Sequence, residues 1–361
     1  MAKSFNVAVL GATGMVGQRF ISLLETHPWF KLTVVAASAR SATQRYGDAV
    51  AGRWALRNPI PAAAADLIVQ DASDVARVAD AVDFVFCAVD MTKDETRALE
   101  DAYALRETPV VSNNSAHRAT PDVPMMIPEV NPEHAGVIAA QKKRLGTRRG
   151  FVAVKPNCSL QSYVPAIHPL LDLSPNRIAV ATYQAISGAG KTFESWPEMV
   201  DNVIPFIKGE EEKSEQEPLK IWGTLNGNAI VPAREPVISA QCIRVPVSDG
   251  HMAAVFVSLG RKASKEEIIA RWRGFSGRPQ ELGLPSAPTP FLTYFDEDAR
   301  PQTAMDRDIG NGMGVTIGRL RPDPLFDYRF VALSHNTVRG AAGGAVLTAE
   351  LLCAEGYIEP K

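Results

Sequence analysis

VAVLGATGMVG, residues 7–17, decides how the fold is read. Residues 7–10 form a short apolar strand that runs straight into glycines at 11, 14 and 17, and residues 18–24 continue with helical character. Strand, glycine loop and helix in that order make a phosphate site. Glycines let the backbone turn tightly and approach a pyrophosphate, while the helix N-terminus offers free N–H donors and a partial positive charge. The spacing is Gly-x-x-Gly-x-x-Gly, not the commoner Gly-x-Gly-x-x-Gly, so the loop alone also fits a structural turn. Gly11, Thr13, Gly14, Met15, Val16 and Gly17 are the candidate cofactor-binding residues of this loop.

Outward from the loop, residues 31–37, 83–88 and 108–112 read as further strands alternating with helical stretches, the pattern of a parallel, doubly wound α/β sheet. The end of the second strand separates the two nicotinamide cofactors. An acidic residue there would grip the ribose 2′-hydroxyl of NAD. This strand instead ends Ala37-Ser38-Ala39-Arg40-Ser41, which favours NADP: Arg40 can pair with the 2′-phosphate and Ser38 can hydrogen-bond to it, with Ser41 beside them. The competing reading of Arg40 is an ordinary loop arginine.

At 361 residues the chain exceeds the roughly 250–300 at which a single core stops growing. Two domains are expected: an NADP-binding domain over 1–155 and an α+β catalytic and dimerisation domain over 156–335. In the second, β-rich runs at 178–187, 241–247, 252–259, 314–320 and 328–333 predict a mixed, largely antiparallel sheet. The Ala-, Gly- and Leu-rich tail, about 336–361, predicts a helix that packs back onto the first domain. With 46% hydrophobic and 22% charged residues and a net charge of −2, the composition is that of a soluble globular protein with no basic field for nucleic acid. No apolar run suggests a membrane span, and no leader pattern suggests secretion, so a cytoplasmic location is expected. The four cysteines, Cys87, Cys158, Cys242 and Cys353, are widely spaced with no metal-ligand pattern, so no metal site is expected.

Cys158 stands apart from the other three. A strand gives way to a helix there, with Pro156 and Asn157 making the turn, so the sulfur should feel the helix N-terminal field, which favours thiolate. Cys87, Cys242 and Cys353 lie within strands or a helix and read as small buried hydrophobes. A nucleophilic cysteine needs a proton-handling partner, and His251, at a turn opening a strand, is the best candidate against His117, His134 and His335. Arg244 lies on the same arm and reads equally well as a structural ion-pair partner. The charged stretch 209–220 reads either as a solvated helix face or as part of a site.

Five motifs in order, GATGMVG from Gly11, KPNCSLQ from Lys155, TYQAISGAG from Thr182, RVPVSDGH from Arg244 and NTVRGAAGG from Asn336, resemble the aspartate-semialdehyde dehydrogenase family over nearly the whole chain. GEEEK from Gly209 resembles the branch found in archaea and fungi. The resemblance implies Cys158 as nucleophile, with Asn157 beside it, and His251 as general acid/base. It implies Gln184 as the residue positioning the reacting group and Arg244 as the bidentate holder of a substrate carboxylate. Glu211 or Glu210 would face a substrate ammonium, and Lys213 and Arg118 would bind phosphate. Ser187, Gly188 and Gly190 would lie beside the nicotinamide, and Asn336 in a cofactor-contacting motif. Ser159 departs from the threonine often seen after the cysteine, and Pro218 interrupts a stretch that is usually more helical.

The activity implied is NADPH-dependent reduction of an acyl phosphate to an aldehyde through a cysteine thioester, the oxyanion received by backbone N–H groups at the helix start, in a homodimer or homotetramer acting on a small-molecule substrate and phosphate. A malonyl-CoA reductase of the same family stays open, as does a non-catalytic nucleotide-binding paralogue. A substrate ammonium facing Glu210 or Glu211 separates the first rival, and an unusually reactive Cys158 the second.

Overall fold

The computed structural model describes residues 3–361. Its first sheet contains β1 (Phe5–Leu10), β2 (Phe30–Ala37), β3 (Gln70–Asp71), β4 (Phe84–Cys87), β5 (Val110–Ser112) and β6 (Val152–Val154), paired parallel in the order β3-β2-β1-β4-β5-β6. Both faces are covered, which is why β4 reads Phe-Val-Phe-Cys with every residue buried. Strand order reverses between β1 and β4, and the crevice at their C-terminal ends is where sheets of this kind bind ligands. Helix α1 (Met15–Leu24) starts at that crevice. Gly11 has φ +80°, and a Cβ there would lie 2.2 Å from the Ala88 carbonyl oxygen; a Cβ on Gly17 would lie 2.1 Å from the Gly11 carbonyl oxygen. Only glycine lets loop, helix and β4 meet this closely.

The second sheet is built from β7 (Pro175–Gln184), then, past a separate hairpin of β8 (Thr224–Asn226) and β9 (Ala229–Val231), from β10 (Val237–Arg244), β11 (His251–Leu259), β12 (Leu292–Phe295), β13 (Val315–Pro322) and β14 (Tyr328–Ser334). Its order is β10-β7-β11-β14-β13-β12, with parallel pairs at the two edges and antiparallel pairs between. β12, only four residues long, escaped the periodicity reading because so short a run carries too few alternations. The strand expected at 241–247 ends at Arg244, since the chain then folds on itself through Val247 N–H to Val245 O at 2.8 Å.

Register assembles the site. Arg244 pairs with Gln184 at the ends of parallel β10 and β7, and β11 runs antiparallel to β7, so His251 starts at that same edge. Strand alternation puts Gln184, Arg244 and His251 on the buried face. The opposite face shows Ala181, Tyr183, Met252, Ala254 and Phe256, all half-buried or exposed.

Helix α2 (Leu160–Ile167) packs on the buried face, and α3 (Glu210–Ile221) lies along β10. The charged stretch 209–220 forms α3, and of its two readings the inward one holds for Glu210, Ser214, Glu217 and Lys220, which are buried, while Glu212 and Gln216 stay exposed. Pro218 does not interrupt the helix. It cannot donate to the Ser214 carbonyl four residues back, and the buried Tyr163 hydroxyl donates there instead at 2.7 Å. Helix α4 (Gly343–Ala354), buried along nearly its whole length, contacts α1 and β5. Just before it, Arg339 pairs with Glu129 at 2.6 and 2.9 Å, both fully buried. Among the described residues no helix is long and apolar enough to cross a membrane.

Candidate active site

β6 delivers Lys155, Pro156, Asn157 and Cys158 to the head of α2. Asn157 fixes this turn: its Oδ1 accepts from both the N–H and the hydroxyl of Ser159 at 2.8 Å, and its own N–H donates to Glu217 Oε2 at 2.7 Å. The Ser159 N–H is therefore spent, which removes it from the backbone donors expected to receive an oxyanion. Cys158 is half-buried, unlike Cys87, Cys242 and Cys353, and a Cβ on Gly340 would lie 2.9 Å from its own Cβ. The thiolate expected from the helix field is opposed here. Burial and the Glu210 charge push the Cys158 thiol up, and Lys155, Arg118 and Arg244 pull it back only in part.

Glu210, not Glu211, faces the site. Its carboxylate accepts from Asn157 Nδ2 at 3.0 Å, from Gln184 Nε2 at 3.3 Å and from Lys213 Nζ at 2.8 Å. Burial would raise its pKa, but the Lys213 charge and these bonds outweigh burial and hold it below the usual carboxylate range. Glu211, one residue on and rotated about 100° around the helix, accepts from Gln241 Nε2 at 2.8 Å and from the Cys242 N–H at 3.2 Å, outside the site. Arg118 pairs with Glu217 at 3.0 Å and donates to the Asn113 carbonyl at 3.1 Å. A chain Arg118–Glu217–Asn157 thus buttresses the nucleophile turn. The sequence reading missed Glu217; its signal was the helical spacing of Glu210, Ser214, Glu217 and Ile221 on one face. Lys220, by contrast, is held by three carbonyls, of Arg118, Thr120 and Val123, at 2.7–2.9 Å and is structural.

The Ala185 peptide ties the other two side chains together: its carbonyl accepts from Arg244 Nη1 at 2.6 Å and its N–H donates to His251 Nδ1 at 3.1 Å. Burial and the Arg244 charge hold the His251 pKa down to about 3 against the pull of the Gly250 carbonyl, so the ring is neutral. With the Nδ1 lone pair taken by Ala185, the ring proton sits on Nε2, which is buried and finds no partner within the protein. Nε2–H is thus available as a hydrogen-bond donor to a bound group. Gly188 leaves the room: a Cβ there would meet Arg244 Nη1 at 2.8 Å and His251 Nε2 at 2.9 Å. Gly190, at φ +67°, ends this turn. Asn336 links the surrounding loops, donating to Ser187 Oγ and accepting from the Gly250 N–H, each at 2.8 Å. That makes its side chain a brace between loops. Of the rival histidines, His117 bonds Thr120 and His134 bonds Asn131 and the Gly223 carbonyl, while the His335 Nδ1 accepts from the Thr337 N–H at 3.3 Å, at the wall of the cofactor-side cavity.

The cofactor residues form a separate, more open group. Thr13, Met15 and Val16 lie at the start of α1, and Ser38 and Arg40 are exposed beyond β2. Ser41 is buried, and Arg53, which the sequence reading did not single out, reaches to 3.4 Å of its hydroxyl and so brings a second cation to the same turn. A cavity of about 590 Å³ joins this half to the other, lined among others by Met15, Arg19, Arg57, Ser187, Lys191 and Arg307. A glycine cradle a Cβ would fill, a helix N-terminus above it and cations around it fit a phosphorylated dinucleotide. Among the described residues no cluster of His, Cys, Asp and Glu could hold a metal ion.

Comparison with known proteins agrees with this layout. The family described as "Semialdehyde dehydrogenase, NAD binding domain" matches residues 6–138, and "Semialdehyde dehydrogenase, dimerisation domain" matches 167–339. The chain is 45% identical to the aspartate-semialdehyde dehydrogenase of Archaeoglobus fulgidus over 98% of this chain and 99% of that one, and 41% identical to that of Aspergillus fumigatus over 97% of each. Among solved structures, the Candida albicans aspartate semialdehyde dehydrogenase with NADP superposes at a TM-score of 0.88, with 36% identity over 99% of this chain and 100% of that one. Aspartate semialdehyde dehydrogenase II of Vibrio cholerae, complexed with ASA, gives 0.75 with 25% identity over 98% and 99%. Two domain matches that together span most of the chain, with relatives above 40% identity end to end, place this protein in the aspartate-semialdehyde dehydrogenase family.

Proposed function

We propose that the chain catalyses the NADPH-dependent reductive dephosphorylation of L-aspartyl 4-phosphate to L-aspartate 4-semialdehyde, a step in lysine, methionine and threonine biosynthesis. The observation that carries this reading is the buried Glu210 carboxylate among Asn157, Gln184 and Lys213, in the same charged shell as Arg244 and Cys158. An α-amino acid end group needs one anion for its ammonium and one bidentate cation for its carboxylate. Glu210 and Arg244 supply them. A malonyl thioester has no ammonium, and desolvating Glu210 beside one would be a net cost.

Cys158 attacks the acyl carbon, forming a thioester and releasing phosphate, whose charge Lys213 and Arg118 offset. The Cys158 N–H and His251 Nε2–H donate to the developing oxyanion, a type of contribution worth about 2.7–4 kcal/mol per donor. Gln184 and Asn157 keep Glu210 and the nucleophile turn aligned. NADPH, when bound, supplies the hydride that reduces the thioester. The glycine loop from Gly11 to Gly17 would hold its pyrophosphate, Ser38, Arg40 and Ser41 its 2′-phosphate, and residues 187–190 with Asn336 would border its nicotinamide. Collapse of the reduced adduct returns Cys158.

We assign the NADP-binding unit to 1–155 with the C-terminal helix, and the catalytic and dimerisation unit to 156–335. The apolar outer face of the second sheet, around Ala181, Tyr183, Met252 and Phe256, is where two copies would pair, as a homodimer or as two dimers in a tetramer. Four unpaired cysteines suit the reducing cytoplasm. The deciding assay pairs phosphate-dependent NADP reduction with L-aspartate 4-semialdehyde against NADPH oxidation with malonyl-CoA. Turnover only in the first is expected. Turnover only in the second would overturn the substrate, and none in either would revive a non-catalytic paralogue.

A further inference from the structure

The choice of cofactor was placed at the end of β2, on Ser38, Arg40 and Ser41, but a second segment of chain is fixed at that turn. Residues 46–58 open with a short helical turn (Tyr46–Ala49) and fold back against the glycine loop. Two side chains bolt them there. The buried Tyr46 hydroxyl donates to the Ala12 carbonyl at 2.9 Å. Gln18 of α1, 2% exposed, commits its whole amide: Nε2 donates to the carbonyls of Thr13 at 3.1 Å and Arg53 at 3.0 Å, and Oε1 accepts from the Ala55 N–H at 2.7 Å. A loop outside the sheet is thereby tied to the same backbone that would cradle a pyrophosphate.

The Arg53 side chain is pinned as well. Its Nε donates to the Ala49 carbonyl at 2.8 Å, and its Nη2 donates to that carbonyl and reaches the Ser41 hydroxyl oxygen at 3.4 Å. Among the described residues no protein acceptor takes Nη1, and the side chain is exposed, so this end of the fork faces outward. Ser41 accepts from Arg53 and keeps its own O–H to donate. Arg40 differs: it is exposed, and only its carbonyl is engaged, by Gln44 Nε2 at 3.0 Å.

We propose that Arg53 is the residue that reads the cofactor's 2′-phosphate and so sets a preference for NADP over NAD, its Nη1 edge and the Ser41 hydroxyl acting as one preformed donor pair. This rests on the reading of the chain as NADP-dependent. The Arg53 guanidinium stands between the glycine loop, through Tyr46 and Gln18, and the end of β2, through Ser41. In a doubly wound sheet the adenosine ribose of a dinucleotide spans those two places, its pyrophosphate at the loop and its 2′ position at the strand end. A phosphate suits a planar guanidinium fork, and a fork already held in place loses less freedom on binding than Arg40, which must first be ordered out of solvent. NAD has an uncharged 2′-hydroxyl there and gains little from a second cation.

The test reads binding and not turnover, so an error in the substrate or in the role of Cys158 leaves it intact. NADP, NAD, adenosine 2′,5′-bisphosphate and 5′-AMP are titrated calorimetrically into the full chain and into Arg53→Met; the last two probes differ only in the 2′-phosphate. Arg53→Met is expected to weaken NADP and adenosine 2′,5′-bisphosphate about tenfold or more, the scale of one hydrogen bond between charged groups, and to change NAD and 5′-AMP by less than about twofold. NADP binding as tight as in the wild type would overturn the proposal. So would an equal loss for all four probes, which would mean that Arg53 holds the loop and not the phosphate. Arg53→Gln, which can still donate to the Ala49 carbonyl, supplies the same reading if the methionine variant melts earlier than the wild type. A wild type that binds NAD as tightly as NADP would instead remove the cofactor reading, and the role of Arg53 with it.

Discussion

Glu210 sits one residue from Glu211 in a run of three glutamates, yet only Glu210 meets Asn157, Gln184 and Lys213. Replacing it with Gln keeps size and hydrogen-bonding capacity but removes the anion that an ammonium requires. We expect kcat/KM for L-aspartate 4-semialdehyde to fall about 10²-fold, the scale of losing one partner of a desolvated charge pair, while the NADP dissociation constant changes less than twofold. Glu211→Gln should leave both within about twofold, since that side chain serves Gln241 and Cys242 on the other side of the helix. Equal losses in the two variants would contradict the assignment. The sequence could not choose between them because a one-residue step on a helix is a turn of about 100°, and only packing against β10 sets the phase. Asn157 and Cys158 were legible because their turn is local. The partner that braces them, Glu217, is 60 residues away in sequence and could not be seen.

At the scale of elements, the first sheet was legible and the head of the site less so. Glycine loop, apolar strands and intervening helices are short-range patterns, so β1, β2, β4 and β5 fall where alternation and turn residues put them. β3 and β12 hold two and four residues and leave no period to detect. Helix α3 was left between two readings for a physical reason: a proline and a dense charge pattern both argue against a buried helix, and both are compensated by tertiary contacts invisible in the chain order. The Tyr163 hydroxyl takes over the carbonyl that Pro218 leaves without a donor. Tyr163→Phe preserves the ring and removes that one bond, leaving a buried carbonyl unpaired at a cost of about 1–3 kcal/mol. Urea unfolding should show that loss, and because Glu210 and Glu217 ride on the same helix, kcat/KM should fall with it. A stability change under about 0.5 kcal/mol would mean the helix tolerates Pro218 by other means.

The whole molecule keeps four imidazoles, His134, His168, His251 and His335, in places where protonation is penalised chiefly by burial. The His251 pKa is held down to about 3 and those of His168 and His335 to about 4, against an ordinary 6.5, and His134 is also lowered. The unfolded chain therefore takes up protons on these residues near pH 6.5, while the folded protein does so only at lower pH. The stability they contribute is fully present above pH 6.5 and is lost as pH falls toward 4 and then 3, at up to about 1.4 kcal/mol per pH unit for each histidine. Glu210, whose pKa is lowered from 4.5, adds its own loss only below that value, so above pH 4.5 the histidines set the loss on acidification, opposed by Glu100, whose pKa burial raises from 4.5. Urea midpoints of the cofactor-free protein should drop steadily as pH falls from 6.5 to 5. His134→Gln, which keeps an amide donor toward the Gly223 carbonyl, should lessen that slope. A midpoint unchanged down to pH 5 would show that these rings already accept protons in the folded state, and with that the neutral, Nε2-protonated His251 on which the donor role depends would have to be abandoned.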